Sequence, residues 1–350
     1  MTTKYNSIYI HNEQPLLNKI AAFDLDSTLI KTKSGKTFPK DEHDWKLFNN
    51  NVIPVLTDII DNGYSIVIIS NQLGLSKNKT TIEELTKKLN NIGTALNMNF
   101  TSFLASEDDT YRKPRIGIFE YIKNNHTIDI SLSFYCGDAA GRTNDFSDTD
   151  YKFALNCGLS FIVPEDLFHK NKFENIFPNY PLSFTNPMIN TNKKSIMPTI
   201  ENTKCMLLLV GPPASGKSTI ASELNFPVIN QDTLGTLAKC KKAAKEIISR
   251  GETLVIDSTN RNKKTREIWI DIARSNKYSV FIFNMLVDKP LSMHLNKYRS
   301  LYGTQKKIPA IAIHSFFKQY EPPTITEGFE EVFNIDFVCN SDCHYLHQYL

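Results

Sequence analysis

The chain has 350 residues, too many for one ordinary core and enough for two domains. Its composition, 41% hydrophobic and 22% charged, is that of a globular protein, and no apolar run approaches the roughly 18 residues that would span a bilayer. With 40 basic and 37 acidic residues the net charge is only +3, so a surface for a polyanion has to be a local patch rather than a global field.

The opening MTTKYNSIYIHNEQ lacks the basic-then-apolar order of a secretory leader. The stretches IAAFDLD, YSIVIIS and LSFYCGD then read as strands ending in polar residues, with PVLTDIIDNG and TIEELTKKLNNIGTALN carrying helical spacing between them. This alternation predicts a parallel α/β sheet over residues 1–177. Residues 178–203, rich in Pro, Asn, Thr and Ser, read as a linker. A second α/β unit, 204–350, opens with KCMLLLVGPPASGKST and continues through TLVIDSTN, the helix KKTREIWIDIARSN and the strand YSVFIFNMLV. Six scattered cysteines fit reduced thiols better than a disulfide scaffold. Cys339, Cys343, His344 and His347 lack a second ligand pair at finger-like spacing and read as incidental to a terminal segment.

In the first unit Asp24 and Asp26 lie two apart at a strand tip and so share a face. Two such close carboxylates favour a bound cation or a shared proton, as suits a nucleophile beside an acid/base. Ser70 ends a strand, Lys113 follows in TYRKP, and Asp138 ends another strand with Asp145 and Asp148 after it. In that order, a hydroxyl, a lysine and further carboxylates suit Mg²⁺-dependent phosphoryl transfer to aspartate.

In the second unit, Gly211, Pro212, Pro213, Ala214, Ser215, Gly216, Lys217 and Ser218 form G-x-x-x-x-G-K-S between a strand and a helix that continues through Thr219. Backbone N–H groups of such a loop converge on phosphates, the lysine neutralises β- and γ-phosphate charge, and the serine hydroxyl is placed to ligate Mg²⁺. Asp232 reads either as a base for an acceptor hydroxyl or as a helix N-cap. Asp257 reads as a Mg²⁺-facing carboxylate or a strand-end turn residue. Arg266, Lys297 and Arg299 are candidates to reach over the nucleotide.

The D-x-D-x-T at 24–28 resembles the haloacid dehalogenase superfamily. That resemblance implies a Rossmann-like phosphatase domain with Asp24 as nucleophile, Asp26 as acid/base, Ser70 and Lys113 on the phosphoryl oxygens, and Mg²⁺ at Asp24, Asp26 and Asp138. Either Asp145 or Asp148 would complete the metal shell. Over residues 18–337 the chain further resembles the polynucleotide kinase 3′-phosphatase family, through FDLDSTLI, SNQLG, TYRKP, FYCGDAAGR, DFSDTDYKFALNCGL, GPPASGKST, QDTLG, DSTN and EPPTITEGFEEV. This implies a phosphatase followed by a P-loop kinase with a parallel sheet, ATP as phosphate donor, and DNA or RNA ends as substrate. It also implies Asp232 as kinase base, Lys77 on substrate, and a nuclear setting, with the cytoplasm as the alternative since no targeting signal is evident. Ser218 on Mg²⁺, Arg266 on substrate and Arg299 on nucleotide are candidates from the residues themselves, and a monomer is the default expectation. Lys79, Arg112, Arg115 and Arg142 are further candidates for the nucleic-acid backbone. The chain departs from the family in lacking room for a forkhead-associated domain before its first strand, in Gln231 where relatives commonly carry Arg, and in a short GRTND loop. Two rival readings are the same chemistries on small metabolites and a binding scaffold with inactive sites; the retained nucleophile, lysine and Mg²⁺ candidates argue against the second.

Overall fold

The computed structural model describes residues 1–182, 204–338 and 345–350. Two compact units emerge, Met1–Asn186 with Gln348–Leu350, and Pro187–His347. Most of the expected linker, and Cys339, Cys343 and His344, lie outside the described residues. The described start of that linker belongs to the first unit. Tyr180 donates its hydroxyl to Asp166 Oδ2 at 2.6 Å and meets Tyr151 and Phe161 edge-on. The last residues belong there too, since the Asn156 amide exchanges two 2.9 Å hydrogen bonds with the Tyr349 backbone.

The first unit runs β1 (Thr2–Tyr5), β2 (Ile8–His11), β3 (Ile20–Phe23), β4 (Ile30–Lys31), β5 (Lys46–Leu47), α1 (Val52–Asp61), β6 (Ser65–Asn71), α2 (Ile82–Leu96), β7 (Thr101–Ala105), α3 (Gly117–Asn125), β8 (Phe134–Cys136), α4 (Thr149–Cys157), β9 (Ser160–Ile162) and α5 (Pro164–Leu167). Its main sheet has the order β1-β2-β7-β6-β3-β8-β9. From β7 to β9 every pairing is parallel, and β1 and β2 add an antiparallel edge. The inner strands are almost wholly buried, as continuous apolar runs covered on both faces should be. α1 buries Val52, Val55, Leu56 and Ile59, one face of a helix. α2 starts on a capping box of Thr81 and Glu84 and ends with Asn97 in the left-handed conformation. The β1–β2 pair was not expected from sequence. Each strand is only four residues long, and the docking partner that orders them is the distant β7.

The second unit contains β10 (Cys205–Val210), α6 (Lys217–Glu223), β11 (Val228–Asn230), α7 (Gln231–Leu234), α8 (Leu237–Ser249), β12 (Leu254–Asp257), α9 (Lys263–Ser275), β13 (Ser279–Leu286), α10 (Lys289–Tyr302), α11 (Ala310–Gln319) and β14 (Glu331–Asp336). All strands are parallel in the order β11-β12-β10-β13-β14, with the fully buried β10 at the centre. Both units are thus α/β, their main sheets parallel apart from the β1–β2 edge of the first, as the alternation of apolar runs and amphipathic stretches implied. Among the described residues no helix is long and apolar enough to cross a membrane. Cys136, Cys157, Cys205 and Cys240 are free thiols, each buried.

Candidate active sites

In the first unit three neighbouring strands end at one place. β3 lies between β6 and β8, with Phe23 level with Ile68 and Cys136. Asp24 follows β3, Ser70 is near the end of β6, and Asp138 lies just past β8. Carboxyl ends of parallel strands are where open α/β sheets gather their ligands. Lys113, from the segment between β7 and α3, reaches in with 2% exposure. Its Nζ donates to Asp24 Oδ1 at 2.8 Å, to Asp150 Oδ1 at 2.7 Å and to the Tyr135 hydroxyl at 2.6 Å. Thr28 donates its hydroxyl to Asp138 Oδ1 at 3.2 Å and accepts from the Asp138 N–H at 3.1 Å.

Carboxylate oxygens of Asp24, Asp138 and Asp150 lie within 4.8 Å of one another. Three carboxylates beside one ammonium leave an excess of buried negative charge. Burial, augmented by Asp150 and Asp138 and opposed by Lys113, pushes the Asp24 carboxyl up to about 7. Burial and then Asp150 push Asp138 up to about 6. Burial alone would lower the Lys113 ammonium, but Asp150 and Asp24 outweigh it and hold it above the ordinary lysine value. Hard oxygen donors with surplus negative charge fit a divalent cation such as Mg²⁺.

The third carboxylate of this cluster is Asp150, neither Asp145 nor Asp148. Asp145 instead accepts from Arg142 and from the Ala140 N–H, and Asp148 pairs with Lys152. Asp150 sits in the first turn of α4 and approaches because Gly137 lies opposite. A Cβ there would stand 2.5 Å from the Asp150 carboxyl carbon. Asp26, expected among the metal carboxylates, points elsewhere: Lys88 Nζ lies 2.8 Å from its Oδ1 and Gln72 Nε2 3.1 Å from its Oδ2. Among the basic candidates, Lys77 and Lys79 are exposed in the loop after β6, and Arg112 is half-buried. Arg142 is tied to Asp145 and Glu165, and Arg115 is buried against Asp108 and the Asp109 carbonyl.

In the second unit the loop 211–216 joins β10 to α6. Gly216 has φ +87°, a left-handed conformation that glycine adopts without penalty. Lys217 folds back over the loop, its Nζ 3.0 Å from the Gly211 carbonyl, 2.6 Å from that of Pro212 and 3.3 Å from Ser215 Oγ. Burial, helped by Arg299 and opposed by Asp257 and Asp232, brings its ammonium down to about 8. Asp257 closes β12 in register with Leu209 of β10 and Asn230 of β11. Its Oδ2 accepts from Ser218 Oγ at 2.7 Å and Asn230 Nδ2 at 2.8 Å, so it faces the loop rather than serving as a turn residue. Ala214 and Thr219 complete the stretch, and the Pro213 carbonyl accepts from Ser292 Oγ of α10 at 2.8 Å. α10 also carries Lys297 and Arg299; the Arg299 Nε is buried with no hydrogen-bond partner among the described residues. Asp232 is not a cap: Asn230 caps α7 and Thr236 caps α8, leaving Asp232 exposed.

Arg266, expected to reach the substrate, does not. It has 0% exposure and donates to both Glu327 oxygens at 2.7 Å and to the carbonyls of Asn260 and Glu321. Its position on the buried face of α9, with Trp269, Ile270 and Ala273, is the periodicity signal that marks it as a brace.

A carboxylate held by lysine among further carboxylates, and a phosphate loop at the central strand of another sheet, define a two-site phosphoryl-transfer enzyme. One half is of the aspartate-based phosphatase class and the other of the P-loop kinase class. Comparison with known proteins makes this specific. The family model described as "Polynucleotide kinase 3 phosphatase" matches residues 19–168. The bifunctional polynucleotide phosphatase/kinase of Schizosaccharomyces pombe is 35% identical over 96% of this chain and 85% of its own length. The polynucleotide 3′-phosphatase of Saccharomyces cerevisiae is 32% identical over 48% of this chain and 94% of its own. The chain belongs to the bifunctional polynucleotide phosphatase/kinase family.

Proposed function

We propose that this protein heals broken polynucleotide ends, removing 3′-phosphate at the first site and phosphorylating 5′-hydroxyl at the second, so that a ligase can join the strand. The carrying observation is the Asp24–Lys113–Asp138–Asp150 cluster and a complete phosphate loop in one chain of this family. At the first site an Asp24 oxygen attacks the phosphorus, forming an aspartyl-phosphate as the bond to the 3′-oxygen breaks. Asp26 gives its proton to that oxygen. Asp26 then takes a proton from water, whose oxygen bonds to phosphorus and releases Asp24. Lys113 and Ser70 hold the phosphoryl oxygens. Asp24, Asp138 and Asp150 would hold Mg²⁺, which offsets phosphate charge so that one anion can approach another.

At the second site Asp232 accepts the proton of the 5′-hydroxyl, whose oxygen bonds to the γ-phosphorus as ADP leaves. The loop N–H groups and Lys217 bind the β- and γ-phosphates, and Arg299 offers its unpartnered Nε to the transferring charge. Ser218 and Asp257 would hold Mg²⁺, which would offset the charge of those phosphates. Lys77, exposed in the loop after β6, contacts the nucleic-acid backbone. DNA strand breaks in the nucleus are the expected setting, and each site is complete in one chain, which suits a monomer.

The test is a nicked duplex bearing 3′-phosphate and 5′-hydroxyl, incubated with protein, ATP and Mg²⁺. Wild type converts both ends, Asp24→Asn loses only dephosphorylation, and Lys217→Ala loses only phosphorylation. Unchanged ends together with rapid turnover of small phosphoesters would overturn the choice of substrate.

A further inference from the structure

The proposed chemistry makes no use of the buried charge on Lys88. α2 buries Leu85, Lys88, Leu89, Ile92 and Leu96, an apolar stripe at helical spacing with a lysine inside it. Lys88 is 5% exposed. An ammonium in a core stripe is costly unless it is paired, and here the partner is Asp26, at 2.8 Å. Asp26 itself is half-exposed and sits in a tight turn, where the Ser27 N–H donates to the Ile30 carbonyl at 2.7 Å and Ser27 has φ +65°. The other Asp26 oxygen accepts from Gln72 Nε2, which also lies 3.0 Å from Ser70 Oγ. A continuous chain therefore runs from Lys88 through Asp26 and Gln72 to Ser70. Both oxygens of a side chain that would otherwise rotate in solvent are fixed, one by a charge anchored in the core and one by the Gln72 amide just past β6.

We infer that Lys88 is a positioning residue for 3′-dephosphorylation: it acts through Asp26, holding the ionised carboxylate in one orientation beside the phosphoryl-binding Ser70 for the step in which it takes a proton from water. The inference rests on the reading of Asp26 as acid/base. Proton transfer depends steeply on placement, and an error near 1 Å costs on the order of 100-fold in rate. Lys88 is buried and pairs with Asp26 rather than Asp24, so its loss is expected in kcat and not in KM.

The test uses the full chain and a 3′-phosphorylated duplex, with 5′-kinase activity as internal control. Lys88→Met is expected to lower phosphatase kcat roughly 10- to 100-fold with KM within about twofold, while the kinase is unchanged. Lys88→Arg keeps the charge and restores most of the loss. On an Asp26→Asn background, Lys88→Met has no further effect, because its route of action is already gone. A purely structural lysine would instead lower the residual rate of Asp26→Asn again, and that result overturns the inference, as does a wild-type kcat in Lys88→Met. Should Lys88→Met fold poorly, Gln72→Leu asks the same question from the other oxygen: a kcat loss that vanishes on the Asp26→Asn background supports the positioning chain, and an additive loss overturns it. If Asp26→Asn alone keeps full activity, the acid/base assignment fails, whatever Lys88 does.

Discussion

Gly137 has no Cβ where a Cβ would collide with the Asp150 carboxyl. Gly137→Ala should push Asp150 off Lys113 and Asp138 and lower 3′-phosphatase activity by at least about tenfold, since a small misplacement of a charge-holding group is expensive. The kinase reaction of the same preparation should not change; equal loss of both would mean general misfolding. Lys217 offers a pH test. Its ammonium, lowered to about 8 chiefly by burial, should lose its proton in the free enzyme as pH rises through that value. The kcat/KM for ATP, which reports the free enzyme, then falls above pH 8. Arg299 contributes to that lowering, so Arg299→Gln should move the limb to higher pH as well as weaken the reaction. A limb that stays in place would show that Arg299 does not act on Lys217. At these positions the sequence was informative where a motif sits at a strand tip, as with Asp24, Ser70, Asp138 and Lys217. It could not choose Asp150, because three acidic residues in DFSDTD are equivalent until α4 and Gly137 decide which one faces inward. Arg266 and Lys88 show the opposite problem: each is a charge on an apolar helical stripe, and the stripe, not the charge, foretold burial.

Parallel strands were readable as apolar runs because burial on both faces removes the need for alternation. The antiparallel edge was not, since β1 and β2 are short and take their order from β7, far away in sequence. α9 is held to the segment around Glu321 and Glu327 by Arg266, whose fork meets both Glu327 oxygens. Burial would raise the Glu327 carboxyl, but the Arg266 hydrogen bonds outweigh it and hold it below the ordinary glutamate value. A depressed carboxylate contributes stability that is present at neutral pH and lost as pH falls through its folded value. Glu327→Gln leaves Arg266 buried without its counter-charge, a change that costs roughly 3–5 kcal/mol. For a domain of this size that lowers the midpoint of the kinase unit's unfolding by roughly 6–20 °C. Calorimetry at pH 7 and pH 4 checks both statements: the gap between variant and wild type should narrow in acid. An equal gap at both pH values would contradict the role given to this pair.

Two units with separate cores give the molecule two stabilities rather than one. In Glu327→Gln, brief heating between the two transitions should remove 5′-kinase activity and leave 3′-phosphatase activity on the same substrate. Simultaneous loss would mean that the units unfold as one. The order of the two activities along the chain was plain in the sequence, because each carries its own motif in its own strand–loop–helix setting. The return of the last residues to Asn156 was not, since a pair of backbone hydrogen bonds leaves no compositional mark. The buried thiols carry a last consequence, for chemical endurance. Peroxides attack thiolates, and burial holds Cys136, Cys157, Cys205 and Cys240 protonated above the ordinary cysteine value. Cys136 matters most, two residues from Asp138 on the strand that delivers it. Sulfenylation there would swell the sheet beneath the phosphatase carboxylates, and the fold withholds the nucleophile on which that damage depends. These four thiols should therefore react slowly with peroxide, each shielded by the core that surrounds it.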